Sequence, residues 1–164
     1  MRQIQFALLA CLCASPTLQG AYTLSRAEVT PDPRYATSNF SALWPHISLE
    51  EAKRLLAQPG VVFVDGRSYA EWESSHIPGS IPLPGGEFDK RYAMHKSKLR
   101  KAKVIVSYCH GEHCGLADYL AQLLSDKGHR NLAVFWGGFP AWEKAKLPLE
   151  GNNKSQKPPK KTAP

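Results

Sequence analysis

Residues Val104 to Gly115 read VIVSYCHGEHCG, and this stretch decides the fold. Val104 to Val106, with Tyr108 after Ser107, form the short apolar run of a buried strand, and a Leu-rich helical pattern starts at Leu116. A strand that stops at a cysteine and turns into a helix aims several backbone N–H groups and the positive helix end at one point. That point suits an anion. A thiolate there is stabilised, so Cys109 is expected to titrate below the ordinary ~8.5 and to serve as a nucleophile.

Working outward, the apolar runs alternate with helical patterns. Val61 to Val64 is a second continuous apolar run, closed by Asp65, Gly66 and Arg67. Before it, Ser48 with Glu51 makes a capping-box pattern, and Leu49, Ala52, Leu55 and Leu56 share one helical face ending near Gly60. After it, Ser68 caps a short helix through Trp72, and His76 to Gly79 turn the chain into a small strand around Ser80 and Ile81. Phe88 to Leu99 reads as a helix with Phe88, Tyr92 and Leu99 inward. Its basic side, Lys90, Arg91, Lys96 and Lys98 with Arg100, Lys101 and Lys103 beyond, reads as a solvated face. Leu116, Leu120, Leu123 and Leu124 form the next helical stripe, with Gly128 at its end; Leu132 to Phe135 is the last strand. Gly137 and Gly138 lead into a short helix containing Trp142, and Leu147 with Pro148 ends the domain. The alternation predicts an α/β domain with a parallel sheet, and ligands in such sheets sit beyond the strand carboxyl ends, where Asp65 and Cys109 both fall.

Four segments are expected in 164 residues: a signal peptide at 1–21, an irregular lead-in at 22–45, the domain at 46–150 and a disordered Lys- and Pro-rich tail at 151–164. Arg2, the apolar run Ile4 to Ala14 and the small residues near Gly20 read as an export signal, too short to span a membrane. A faint lipoprotein-like box at Leu8 to Cys11 lies too early to weigh against it. Phe40 and Trp44 are expected to anchor the lead-in. Export implies a periplasmic or secreted protein in which Cys109 and Cys114 are the cysteines left, under oxidising pressure. Of the net charge of +7, the two ends carry +5. Between residue 21 and the tail, 16 basic residues face 14 acidic ones, so the body is near neutral at +2. Nothing in it suggests a nucleic-acid partner.

Residues Ile47 to Pro148 resemble a single rhodanese-like sulfurtransferase domain, on four motifs in order: VDGR at Val64 to Arg67, HIPG at His76 to Gly79, SYC before the loop, and GGFPAW at Gly137 to Trp142. The resemblance implies a five-stranded parallel sheet flanked by helices on both faces. It also implies that Cys109 accepts a sulfane sulfur from a small donor and passes it, as a persulfide, to a thiol or to cyanide, with no cofactor. His110, Gly111, Glu112, His113, Cys114 and Gly115 then form the substrate-binding loop, whose N–H groups hold the persulfide charge. Asp65 and Arg67 brace it, more as a structural ion pair than as reacting groups, and His76 stabilises a turn.

Two loop residues depart from the family's habit. Glu112 opposes a dianionic donor such as thiosulfate, an effect that His110 and His113, largely uncharged near neutral pH, do not offset. Cys114 admits three accounts: a small filler, a resolving thiol or disulfide partner for Cys109, or a metal ligand. Two other function classes stay open. Cys109, His110, His113 and Cys114 spell CHxxHC, a dense set of soft ligands, although a six-residue curl cannot easily turn four side chains inward while its amides do the same, so no metal is expected. A non-catalytic module that binds a partner is the other. Phosphatases sharing the fold are disfavoured, since they need a longer loop ending in an arginine and Gly115 stands six after Cys109.

Overall fold

The computed structural model describes residues 43–152. In chain order they form β1 (His46–Ile47), α1 (Leu49–Leu56), β2 (Val61–Asp65), α2 (Tyr69–Ser74), β3 (Ile81–Pro82), α3 (Phe88–Lys101), β4 (Val104–Tyr108), α4 (Leu116–Asp126), β5 (Leu132–Phe135) and α5 (Gly138–Lys144). The five strands make one sheet in the order β1-β5-β4-β2-β3, every pairing parallel.

Period-2 alternation divides the apolar runs between two cores, which is why they read as continuous. Phe63, Val104, Val106, Tyr108 and Phe135 pack on one face with Ala52 and Leu55 of α1 and Trp142 of α5. Val62, Val64, Ile105 and Leu132 pack on the other with Phe88, Tyr92 and Leu99 of α3 and Leu120 and Leu124 of α4. Helices thus cover both faces. All five residues of β4 are buried, as a central strand requires.

Local chemistry sets the ends. Ser48 accepts the Glu51 N–H at the start of α1, and Ser68 with Glu71 forms a complete capping box on α2. Pro82 is tolerated because β3 is an edge strand.

The differences from the sequence reading lie at the margins. β1 has two residues, too few for any periodicity; it is held because Val134 N–H donates to Pro45 O at 2.9 Å. β3 starts one residue later than expected, α2 runs on to Ser74 and α3 to Lys101. Backbone hydrogen bonds tie down the end of the domain. His76 and Glu150 exchange backbone hydrogen bonds at 2.7 and 2.9 Å, and Asn152 N–H donates to Glu73 O at 2.8 Å. Trp44 packs against the core. The signal at 1–21, the Phe40 anchor and the tail beyond Asn152 lie outside the described residues. No described helix is long and apolar enough to cross a membrane.

Candidate active site

β4 delivers Cys109 to the carboxyl edge of the sheet, and three features curl the chain above it. Gly111 sits at φ +109°, the region open to glycine; Cys114 N–H closes a turn onto Gly111 O at 3.0 Å; Gly115 takes the N-cap of α4. A second element clamps the base of this loop. Phe139 N–H donates to the Cys109 carbonyl at 2.9 Å, which brings Gly138 against the loop at φ +58°. A Cβ at Gly138 would overlap the Cys109 carbonyl oxygen and lie 2.6 Å from Gly111 N, both of them backbone atoms that cannot swing away. Gly138→Ala is therefore expected to cost roughly 2–4 kcal/mol, from left-handed strain and overpacking together, measurable as a lower urea midpoint. The glycine pair after β5 was visible in the sequence; what it touches was not.

The two sulfurs divide the loop's donors. Cys109 is only 2% exposed, and its thiol donates to the Cys114 carbonyl at 3.2 Å. Backbone N–H groups of Gly111 and Ala117 favour its anion, as the strand, turn and helix predict. Burial and the hydrogen bond to Cys114 outweigh them and push the Cys109 thiol up to about 12. Burial thus works against the acidity that the loop amides lend Cys109. Cys114 is the acidic partner. It is half-buried, which alone would raise its pKa, but the Cys109 thiol, the Leu116 N–H and the His110 ring and backbone lower it.

His110 also differs from expectation. Its Nε2 lies 2.7 Å from Glu71 Oε1 and its Nδ1 lies 3.7 Å from Cys114 Sγ. Burial pulls its pKa down, yet the bonds to Cys114 and Glu71 prevail and raise it, so His110 carries more charge near neutral pH than an isolated imidazole. Glu71 is held down at about 2, first by its hydrogen bond to the Ser68 side chain, which outweighs the cost of burial, and then by the hydrogen bond and charge of His110. Its capping role, the role the Ser-x-x-Glu spacing advertises, uses one carboxylate oxygen and leaves the other for His110.

The remaining predicted residues separate by place. Gly111 is buried and Gly115 exposed along the curl; Glu112 and His113 are exposed on its outer side. Asp65 and Arg67 stand beneath the loop as a buried pair. Arg67 Nη2 meets Asp65 Oδ2 at 2.7 Å and Ser75 O at 2.7 Å, and the guanidinium lies 3.8 Å from the Phe139 ring centroid. His76 stacks on Trp72 at 4.1 Å and bonds its carbonyl at 2.6 Å, a turn-holding position. Among the described residues, no group of three or more His, Cys, Asp or Glu is arranged to hold an ion. Cys109 and Cys114 are both free.

Comparison with known proteins agrees with this architecture. The family model described as rhodanese-like domain matches residues 48–145. Thiosulfate sulfurtransferase GlpE of Pseudoalteromonas translucida is 31% identical over 100 residues, 61% of this chain and 90% of that protein. An HTH-type transcriptional regulator of Mycobacterium tuberculosis is 33% identical over 90 residues, 55% of this chain and only 38% of that protein. The solved rhodanese-like domain of an Anabaena protein superposes with a TM-score of 0.57 at 24% identity, covering 70% of this chain and 85% of that one, a likeness of fold. Similar curated proteins also include a dual specificity phosphatase and a tRNA uridine(34) hydroxylase, so the fold leaves the reaction to be argued from the loop.

Proposed function

The chain belongs to the rhodanese-like domain family, and on that premise we propose that it is a sulfurtransferase that carries sulfane sulfur on Cys109 as a persulfide and passes it to a thiol or cyanide. One observation carries this reading: Cys109 Sγ lies at the end of β4 with the Gly111 and Ala117 N–H groups turned to it and a second, more acidic sulfur as its neighbour. The Cys109 sulfur attacks the outer sulfur of the donor, the donor's inner group leaves with the bonding electrons and takes the Cys109 thiol proton, and the loop amides hold the Cys109–S–S⁻ charge. Transferring that terminal sulfur to an acceptor thiolate or cyanide restores Cys109.

The surroundings argue for a small donor of low charge. Glu112 and Glu71 both flank the loop, and a dianion meets them before it meets the sulfur; the cationic tendency of His110 offsets only part of this. Thiosulfate is then a poor donor and a neutral or singly charged persulfide a better one. Export of the chain through its first 21 residues belongs to the same proposal, since it puts the two thiols where donors and oxidants compete for them.

Intact-mass measurement of the reduced full chain after one equivalent of several sulfane donors tests the reading. With Cys114→Ser, the expected product is one added sulfur atom mapping to Cys109. Absence of that adduct with thiosulfate, polysulfide and glutathione persulfide alike sinks the proposal.

A further inference from the structure

The loop holds more machinery than carrying a persulfide requires. A rhodanese-type step needs one sulfur and amides around it; here a second sulfur is in contact with an imidazole that is itself in contact with a carboxylate from a different helix. An imidazolium satisfies both contacts at once, with Nε2–H donating to Glu71 Oε1 and Nδ1–H donating to Cys114 Sγ. The order carboxylate, imidazole, sulfur is the arrangement that turns a thiol into a nucleophile, with the third group orienting the base. Glu71 is held in turn by Ser68 N–H at 3.1 Å, so the row begins on a fixed helix terminus.

The placement of the two sulfurs gives this row a target. The Cys109 thiol donates to the Cys114 carbonyl oxygen at 3.2 Å, so the two residues that must react are already in contact. Cys109 is buried and Cys114 half-exposed.

The geometry points to a Glu71–His110–Cys114 relay that resolves the Cys109 persulfide inside the loop, releasing hydrosulfide and closing a Cys109–Cys114 disulfide. This deepens the proposed sulfur transfer and rests on Cys109 carrying the persulfide. In the step, the Cys114 thiolate forms a bond to Cys109 Sγ, and the bond between Cys109 Sγ and the terminal sulfur breaks. The electron pair leaves with the terminal sulfur, which takes the His110 proton and departs as HS⁻. The terminal sulfur is reduced to sulfide and the cysteine pair is left oxidised as a disulfide. A dithiol reductant then returns the loop to two thiols, so the overall reaction is dithiol-dependent release of sulfide from a sulfane donor. Cys114 is a catalytic residue of this step, His110 its proton carrier, and Glu71 a positioning residue that acts through His110.

The full chain, reduced and then freed of reductant, is given one equivalent of cysteine persulfide, and mass and sulfide are followed in a single turnover. Wild type is expected to release one sulfide per chain and to end two hydrogens lighter than the dithiol. Cys114→Ser keeps the added sulfur and releases none. Glu71→Gln, which retains the capping pattern of α2, and His110→Gln should reach the wild-type product about tenfold more slowly or worse. Both should also lose thiolate ultraviolet absorbance at neutral pH, a signal that a merely structural role would not move. Wild type that retains the added sulfur as long as Cys114→Ser overturns the relay and leaves the Cys109 persulfide standing. So do Glu71→Gln and His110→Gln chains with wild-type rate and absorbance. A Cys114→Ser chain that never gains sulfur takes down both the relay and the transfer reading beneath it.

Discussion

Cys109→Ser is expected to lower sulfur transfer to cyanide by about a thousandfold or more while leaving the melting temperature nearly unchanged. The two halves of that expectation have separate causes. A serine hydroxyl is close in size to the thiol and can still donate to the Cys114 carbonyl, which accepts the thiol at 3.2 Å, so the loop keeps its hydrogen bond and the apolar contacts of Ala117 and Val134 around it. Chemistry has no such substitute. An alkoxide cannot form near neutral pH in a site where even the thiol is pushed up to about 12, and oxygen does not carry a second sulfur. The decisive comparison is with Cys114, the more acidic and more exposed sulfur. If Cys109→Ser still gained a sulfur atom and transferred it, Cys114 would be the carrier, and the assignment of roles in the loop would reverse.

That such a reversal must be tested at all shows where reading from sequence stops. VVFV and VIVSY were visible as buried strands because a central parallel strand is apolar on both faces, and the GGFPAW and VDGR motifs fixed what lay beside them. β1 was not visible: two residues carry no period, and their place depends on the edge of β5, remote in sequence. The place of Cys109 followed from strand, turn and helix alone. Its acidity did not, because that depends on how deeply the sulfur is buried and on the Cys114 side chain beside it, both fixed by packing. Glu71 was hidden in another way. Its capping box accounted for it completely, and the contact that gives it a second use spans 39 positions to His110. Gly138 is a similar case, a glycine needed for a neighbour distant in the chain.

Asp65→Ala should be the most destabilising single change at this end of the sheet, at roughly 3–5 kcal/mol. Asp65 is fully buried, Arg67 is 4% exposed, and their Nη2–Oδ2 contact is 2.7 Å, so removing the carboxylate leaves a buried guanidinium without its counter-charge. The Arg67 backbone N–H, which donates to Asp65 Oδ1 at 2.9 Å, is orphaned with it. The bond to Ser75 O and the contact with the Phe139 ring remain, but neither neutralises the charge. In urea the midpoint should fall by about 2 M, at the slope usual for small domains. A second variant separates the worth of the pair from the cost of stranding one member: Asp65→Leu with Arg67→Met removes both charges, and should recover most of the loss. If the single and double variants were equally unstable, packing and the lost backbone bond would account for the effect and the ion pair for little. The consequence reaches the sulfur through Phe139. Its ring lies against Arg67 and its N–H holds the Cys109 carbonyl, so a guanidinium that moves to find water pulls on the clamp beneath the loop. Asp65→Ala that stays folded at low temperature should therefore accept sulfur on Cys109 more slowly than wild type, although neither Asp65 nor Arg67 touches the reacting atoms.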